Sequence, residues 1–283
     1  MPVPRVERFD KSSRDGTLLK CCRIGVGSPL VVANPIGIHP DAWMPVAAEL
    51  DGQFCLLLWE GRGLGSSAYP VNPAAMEVTD HAADLRAVAS TCGSSPFGLI
   101  AFCSAALVAC EALQDRAFAP HRVMFISAPL AQRPQDQVIL RFLKRVASEK
   151  NGWRGMAEIC QAFVPDEFRS GVAAMFEQKR GADAFMRTIE SYVRYRPSPA
   201  FSTAPLWLAL AESDDAATRT GNEIFLKARR DPRDRMVTLP GKRYASLVRP
   251  AEFARMLAEW WQEGVTVPPD VLQSVQKIGG HFG

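Results

Sequence analysis

The stretch of sequence that decides the fold is Phe97-Gly98-Leu99-Ile100-Ala101-Phe102-Cys103-Ser104-Ala105-Ala106. An apolar run of strand length passes here directly into small residues that suit the start of a helix. This context is typical of a nucleophile elbow, a sharp turn that strains its central residue and exposes that side chain at the top of a sheet. Ala101 and Ala105 supply the small neighbours that such a turn requires. The pattern therefore predicts Cys103 as a nucleophile at the amino end of a helix, where the helix dipole favours a thiolate.

Short apolar runs alternate with helical patterns on both sides of this turn. The predicted strands are residues 19–26, 30–33, 54–59, 97–102, 123–127, 205–211 and 235–239. The predicted helices between and after them are residues 41–50, 79–91, 217–229 and 250–263. This alternation is typical of βαβ units, so we predict an α/β fold with a mainly parallel central sheet.

The alternation of predicted strands and helices is interrupted between residues 132 and 199. The sequence predicts three or four amphipathic helices there and does not predict a strand. We interpret this segment as a helical lid, and residues 1–131 and 200–283 as the core that it covers. The segment carries 12 Arg and Lys against 8 Asp and Glu, whereas the whole chain has a net charge of only +3. The basic excess of the chain therefore lies on the lid.

Composition excludes several classes of protein. The chain has 283 residues, of which 47% are hydrophobic and 22% charged. Its longest apolar stretch, residues 54–59, is far shorter than the roughly 20 residues of a membrane helix, so we expect no membrane span and a cytoplasmic location. The seven cysteines are an odd count, which favours reduced thiols, and their spacing does not predict a metal site. The basic residues are too dispersed to predict nucleic-acid binding.

Three further segments, together with the elbow, resemble the α/β-hydrolase family in motif and in order. They are Asn34-Pro35-Ile36-Gly37, then Glu60-Gly61-Arg62-Gly63-Leu64-Gly65-Ser66, and the strand with its turn at residues 205–214. The resemblance implies an α/β-hydrolase fold with a lid inserted late in the sheet. It also implies an oxyanion hole formed by the backbone N–H groups of Ile36 and Ser104, and Asp214 as the acid of the site, with Asp215 as the alternative.

The catalytic histidine of that family is absent from its expected position. The family pattern places it seven residues before a helix that begins Pro-x-x-Phe, and Arg243 occupies that position before Pro250. Arginine stays protonated in proteins and is not a general base. Of the four histidines, His39 is the one with a plausible route to Cys103, so we consider it a candidate base; the alternative is a surface histidine that precedes a helix. Arg243 either pairs structurally with Asp214 or stabilises a Cys103 thiolate.

A cysteine without a neighbouring histidine favours thioester exchange over hydrolysis. A thiol is partly ionised near neutral pH and attacks a thioester readily, but it cannot activate water. In this respect the chain resembles the branch of α/β-hydrolase relatives that shuttle aminoacyl groups between phosphopantetheinyl carrier domains in coronamic acid and syringomycin biosynthesis. The resemblance implies an acyltransferase that moves an aminoacyl or acyl group through a thioester on Cys103.

The same resemblance implies the partners of the reaction. These are acyl or peptidyl carrier proteins of non-ribosomal peptide-type biosynthesis, whose phosphopantetheine arm is a substrate and not a bound cofactor. We expect these acidic carriers to dock on the basic lid. Two alternatives remain open at this point: a thioesterase or esterase of the same fold, and a non-catalytic protein of this fold that binds a ligand or partner.

Overall fold

The computed structural model describes residues 4–50, 52–131, 134–162, 164–176, 178–201 and 204–262. An eight-stranded sheet runs through the centre of this part of the chain, in the spatial order β1-β2-β4-β3-β5-β6-β7-β8. The strands are β1 (Val6–Ser12), β2 (Leu18–Gly25), β3 (Ser28–Ala33), β4 (Phe54–Trp59), β5 (Gly98–Phe102), β6 (Arg122–Ile126), β7 (Leu206–Ala211) and β8 (Arg235–Leu239).

Strands β3 to β8 are parallel to one another, whereas β2 pairs antiparallel with β1 and β4. This arrangement confirms the predicted α/β fold with a mainly parallel sheet. Strand β1 was not predicted, because four of its seven residues are charged and its two apolar residues, Val6 and Phe9, lie three positions apart and so lack the period of two that indicates a strand. Charged edge strands are common, since they discourage pairing with other chains.

The helices fill the connections between the strands. They are α1 (Met44–Glu49), α2 (Val78–Ala89), α3 (Ala105–Ala112), α4 (Pro134–Ser148), α5 (Gly152–Ala162), α6 (Arg169–Met175), α7 (Lys179–Arg194), α8 (Ala216–Arg229), α9 (Ala245–Val248) and α10 (Pro250–Gln262). Short 3-10 helices lie at Pro40–Trp43, Ser90–Cys92 and Asp166–Phe168. The helix predicted over residues 41–50 is therefore a 3-10 turn followed by α1.

The two faces of the sheet form two separate apolar cores. Successive side chains of a strand point to opposite faces, so in β5 Leu99 and Ala101 pack beneath α2 and α3, while Ile100 and Phe102 pack against α1 and α10. A third core lies mainly within helices α4 to α7, which belong to the segment predicted as a lid and are called the lid below. The strand β5 that leads to the elbow is thus buried on both faces, which fixes the position of the turn.

The lid is attached to the core through α2 and α7. The backbone N–H of Val78 donates to Ser191 Oγ at 2.8 Å, and His81 Nε2 lies 3.1 Å from Thr188 Oγ1. Gly63, at φ +72°, brings its turn so close to α7 that an added Cβ would lie 2.8 Å from Ala184 Cβ. These contacts hold α7 over the carboxyl ends of the parallel strands.

None of the helices in the described ranges is both long enough and apolar enough to cross a membrane.

Candidate active site

Cys103 lies at a tight turn between β5 and α3. Its φ is +52°, a conformation in which non-glycine residues store strain and which is enriched at functional sites. The Cys103 N–H donates to the Ile126 carbonyl at 2.7 Å, and its own carbonyl accepts from the Ala106 N–H at 3.0 Å. Ala101 and Ala105 are buried beside the turn, where larger side chains would collide with the sheet and the helix. The geometry is that of a nucleophile elbow with a half-buried thiol.

The thiol faces a cavity of about 900 Å³ between the sheet and the lid. Ile36, Ser104, Arg243 and Tyr244 line the cavity together with Cys103, and the lid supplies most of the other lining residues. The structure therefore brings four of the predicted site residues, Ile36, Cys103, Ser104 and Arg243, to one cavity.

The candidate oxyanion donors are the backbone N–H groups of Ile36 and Ser104, two residues that line the same cavity as Cys103. Ile36 follows β3 and Ser104 is the N-cap of α3. Neither N–H has a hydrogen-bond partner among the residues that the structure describes. Backbone donors of this kind stabilise the negative oxygen of a tetrahedral intermediate, and loss of one typically costs on the order of 3 kcal/mol of transition-state stabilisation.

Arg243 reaches the buried carboxylate of Asp214. Its Nε donates to Asp214 Oδ1 at 3.2 Å, and the Ala211 N–H donates to Asp214 Oδ2 at 2.9 Å. Burial opposes the charge of Arg243, but the nearby Cys103 and Asp214 raise its pKa overall. A guanidinium thus lies within electrostatic reach of the sulfur, at the position where the family pattern has an imidazole.

The alternative acid has a different role. Asp215 is the N-cap of α8, and its Oδ1 accepts from the Thr218 N–H at 2.7 Å. Asp214 is therefore the carboxylate of this turn that is joined to the cavity, through Arg243.

His39 does not line this cavity. It lines a smaller one of about 70 Å³ behind residues 35–37, and its Nε2 lies 3.6 Å from Glu60 Oε1. Its Nδ1 accepts from the Asp41 N–H at 3.2 Å. The nearby Glu60 carboxylate raises the pKa of His39. The structure thus turns His39 toward Glu60 and does not bring it to Cys103, which argues against its role as the base.

No other histidine of the described ranges lines the cavity of Cys103. His81 is buried between α2 and α7, and burial lowers its pKa to about 3. His121 lies against Trp261, with ring centroids 5.8 Å apart. His281 lies outside the described residues.

Two tyrosines near the thiol were missed by sequence reasoning. Tyr192 of α7 and Tyr244, next to Arg243, both line the cavity. Burial raises the pKa of each phenol, and the nearby Cys103 raises it further. Tyr192 and Cys103 are almost ninety residues apart in the sequence, and only the packing of α7 brings them together. Tyr244, in contrast, could have been predicted as a cavity residue, because it is next to Arg243 in the sequence.

The described residues contain no group of three or more His, Cys, Asp or Glu side chains that could hold a metal ion.

Comparison with known proteins identifies the family to which the chain belongs. The model of the alpha/beta hydrolase family matches residues 30–256, so the chain belongs to this family, and the predicted α/β-hydrolase fold is confirmed. No curated protein resembles the sequence closely enough to count as a match.

Solved structures share the fold at low sequence identity. A thermophilic esterase from Thermogutta terrifontis with malate bound is 16% identical, with a TM-score of 0.71 over 91% of this chain and 98% of that one. A bromoperoxidase from Bacillus anthracis is 13% identical, with a TM-score of 0.75 over 90% and 100%. The bottromycin epimerase in complex with bottromycin A2 is 18% identical, with a TM-score of 0.71 over 89% and 98%. At this identity the likeness concerns the fold alone.

Proposed function

We propose that the protein is an acyltransferase in which Cys103 carries the acyl group as a transient thioester. The observation that supports this most strongly is the pairing of an elbow thiol with the Arg243–Asp214 ion pair, in a cavity that no histidine of the described residues lines. A guanidinium favours the thiolate but cannot take a proton from water. Such a site suits capture of an acyl group better than its hydrolysis.

The first half-reaction loads the cysteine. The Cys103 thiolate attacks the carbonyl carbon of a donor thioester, and the N–H groups of Ile36 and Ser104 bind the oxyanion that forms. The bond between the carbonyl carbon and the donor sulfur then breaks, and the donor leaves as a thiolate. A thiolate needs little proton assistance to leave, so the step requires no general acid.

The second half-reaction transfers the acyl group from Cys103 to the acceptor. The thiolate of an acceptor attacks the acyl–Cys103 thioester, a new carbon–sulfur bond forms, and the Cys103 thiolate is released beside Arg243. One thioester is broken for each one made, so the exchange is close to isoenergetic. Without a base to activate water, the acyl-enzyme persists until the acceptor arrives.

We further propose that donor and acceptor are the phosphopantetheine arms of acidic carrier proteins, as in non-ribosomal peptide-type biosynthesis. Exposed Arg141 and Arg145 on α4 lie close in sequence to Ile139 and Phe142, which line the cavity. Positive charge near the entrance would speed the docking of an acidic partner, to an extent that falls with ionic strength.

The decisive experiment is intact-protein mass spectrometry after incubation with acyl-pantetheine thioesters. The wild type should gain one acyl mass, and Cys103→Ala should gain none. Cys92→Ala is the matched control, because Cys92 is a half-buried thiol outside the cavity. After a second thiol is added, the acyl group should appear on that thiol in excess over free acid. Acyl gain by Cys103→Ala would overturn the proposal.

Hydrolysis is the second candidate, favoured by the esterases and epoxide hydrolases among the structural neighbours. In that case the wild type would release free acid steadily after a burst, with or without the second thiol. A protein that neither acquires acyl mass nor releases acid would instead be a binding protein of this fold.

A further inference from the structure

We infer that the acyl group carried by Cys103 is a bulky apolar one with no amino group next to its carbonyl, and that the lid forms its pocket. The inference rests on the proposed function, and it narrows the aminoacyl or acyl group of that function to one class. Helices α4 to α7, together with the turns between and after them, supply most of the residues that line the cavity, whereas the core supplies the reacting groups.

The size and lining of the cavity favour an apolar acyl group. Its volume of about 900 Å³ lies in the upper part of the range for small-molecule sites. A transferred acetyl group would leave most of this space unfilled. The apolar side chains that the lid places around it include Leu143, Ile159, Val172, Phe185, Ile189 and Val193. Burial of a hydrocarbon chain against these side chains is the main favourable interaction available there.

The charges around the cavity disfavour an amino group beside the reacting carbonyl. Arg243 lies within electrostatic reach of the sulfur, so an ammonium on the adjacent carbon would face a like charge. The Asp214 carboxylate is fully buried and already accepts from Arg243 and Ala211. Among the described residues, one carboxylate lines the cavity, that of Asp136, and it is half-buried in the first turn of α4.

The entrance is apolar as well. Ile139 and Phe142 line the cavity, yet they are 43% and 52% exposed. Large apolar side chains that are both exposed and continuous with a cavity are typical of a site that admits an apolar ligand. A hydrocarbon chain would therefore contact apolar side chains at the opening as well as inside the cavity.

The test compares acylation rates of the wild-type protein with N-acetylcysteamine thioesters in single-turnover experiments followed by mass spectrometry. The straight-chain series runs from acetyl to decanoyl. The matched pair is 4-methylpentanoyl and leucyl, which differ only by the amino group. Each rate is divided by the rate at which the same thioester reacts with free N-acetylcysteine, so that intrinsic reactivity cancels.

We expect the corrected rate to rise about fourfold per methylene, the equivalent of about 0.8 kcal/mol, and thus about 250-fold from butyryl to octanoyl. The 4-methylpentanoyl thioester should react at least tenfold faster than the leucyl thioester. A flat series, a preference for leucyl, or a preference for a succinyl thioester would each overturn the inference.

A cavity-filling variant locates the pocket. In Ile189→Trp the larger side chain should slow reaction with the longest acyl chains. The optimum, which is the chain length that reacts fastest, should therefore be several carbons shorter than in the wild type. Ile224→Trp is the matched control, because Ile224 is 60% exposed on α8 and does not line the cavity. An unchanged optimum in a folded Ile189→Trp protein, with circular dichroism and melting temperature like those of wild type, would place the pocket elsewhere.

Failure of the inference and failure of the proposed function give different results. If Cys103 is acylated without the expected preference, only the inference fails. If no thioester loads Cys103, the proposed function fails, and the pocket is tested by calorimetric titration with unreactive ketone analogues of the same acyl chains. Affinity that does not increase from the butyryl to the octanoyl analogue would then overturn the inference independently.

Discussion

The Arg243 guanidinium is bound to the Asp214 carboxylate through Nε and Oδ1 at 3.2 Å, and Arg243 also lines the cavity that contains Cys103. This ion pair lies where the family pattern has an imidazole supported by an acid. Because a guanidinium holds its proton and an imidazole exchanges it near neutral pH, we propose that the side chain at position 243 decides whether water can be activated at this site.

Replacing Arg243 with histidine should convert the protein toward a hydrolase. In Arg243→His the ring would have Asp214 as its supporting carboxylate and could remove a proton from water beside the acyl-enzyme. General-base assistance typically contributes about 10²–10⁴-fold, so hydrolysis of preloaded acyl–Cys103 should accelerate by at least 100-fold. The measurement is the loss of acyl mass with time.

Arg243→Gln is the control for this change. Glutamine removes the guanidinium and supplies no base, so its acyl-enzyme should be as stable toward water as that of the wild type. Equal deacylation by the His and Gln variants would show that the imidazole does not act on water.

We expect Asp214 to position Arg243 and also to stabilise the fold. Asp214→Asn removes a buried charge that accepts from Arg243 and from the Ala211 N–H. The Arg243 side chain is 31% exposed and can be partly solvated instead, so we expect a loss of about 2 kcal/mol in the free energy of unfolding, less than the 3–5 typical of a fully buried pair.

Urea denaturation measures this loss, and Asp10→Asn is the matched control. Asp10 pairs with Lys20 on the surface, where both side chains are more than 40% exposed. The control should therefore leave the free energy of unfolding nearly unchanged. A second readout separates positioning from stability: Asp214→Asn should slow acylation of Cys103 even under conditions where the variant is fully folded.

The parts of the fold that could be predicted are those with a strong local signal. Buried strands such as Phe54–Trp59 are continuous apolar runs, and the elbow requires small residues on both sides of Cys103. Strand β1 could not be predicted in this way, because its pairing with β2 depends on backbone hydrogen bonds that leave little trace in the side chains.

The residues of the candidate site also differ in whether the sequence could predict their neighbours. Cys103, Ser104 and Asp214 follow strands of the sheet and lie near recognisable motifs, so their neighbourhood could be inferred from topology. The partner of His39 could not, because Glu60 belongs to another loop and the contact depends on how two turns pack. Tyr192 reaches the site from the lid, whose packing has no local sequence signature.

Alkylation near neutral pH should be selective for Cys103. Burial raises the pKa of Cys92 to about 11 and that of Cys160 to about 12, so these thiols are almost entirely protonated. Cys103 faces the cavity beside Arg243. Iodoacetamide at low concentration should therefore modify Cys103 first, as read by peptide mapping.

Removal of the guanidinium should weaken this selectivity. In Arg243→Gln we expect alkylation of Cys103 to slow, because the nearby guanidinium that favours a thiolate is removed. Denatured protein, in which all seven cysteines react, gives the reference for reagent access. Native labelling of Cys92 as fast as that of Cys103 would contradict a special environment for the elbow thiol.

His81 should make the stability of the fold depend on pH. It is 7% exposed, and burial lowers its pKa to about 3, whereas an unfolded histidine titrates near 6.5. Between these values the unfolded chain binds a proton that the folded chain does not. The free energy of unfolding therefore falls as the pH drops below about 6.5, by up to about 1.4 kcal/mol per pH unit.

The variant His81→Gln isolates this contribution. Thr188 Oγ1 lies within hydrogen-bond distance of the Ala184 carbonyl and of His81 Nε2, and a glutamine amide can bond to this hydroxyl without titrating. His39 acts in the opposite direction, since its raised pKa gives stability at low pH that is lost as the pH rises. Urea denaturation at about pH 7.5 and pH 5 should show a much smaller loss in His81→Gln than in wild type, while exposed His121→Gln keeps the wild-type loss. If His81→Gln loses as much stability as wild type, the acid sensitivity originates elsewhere in the fold.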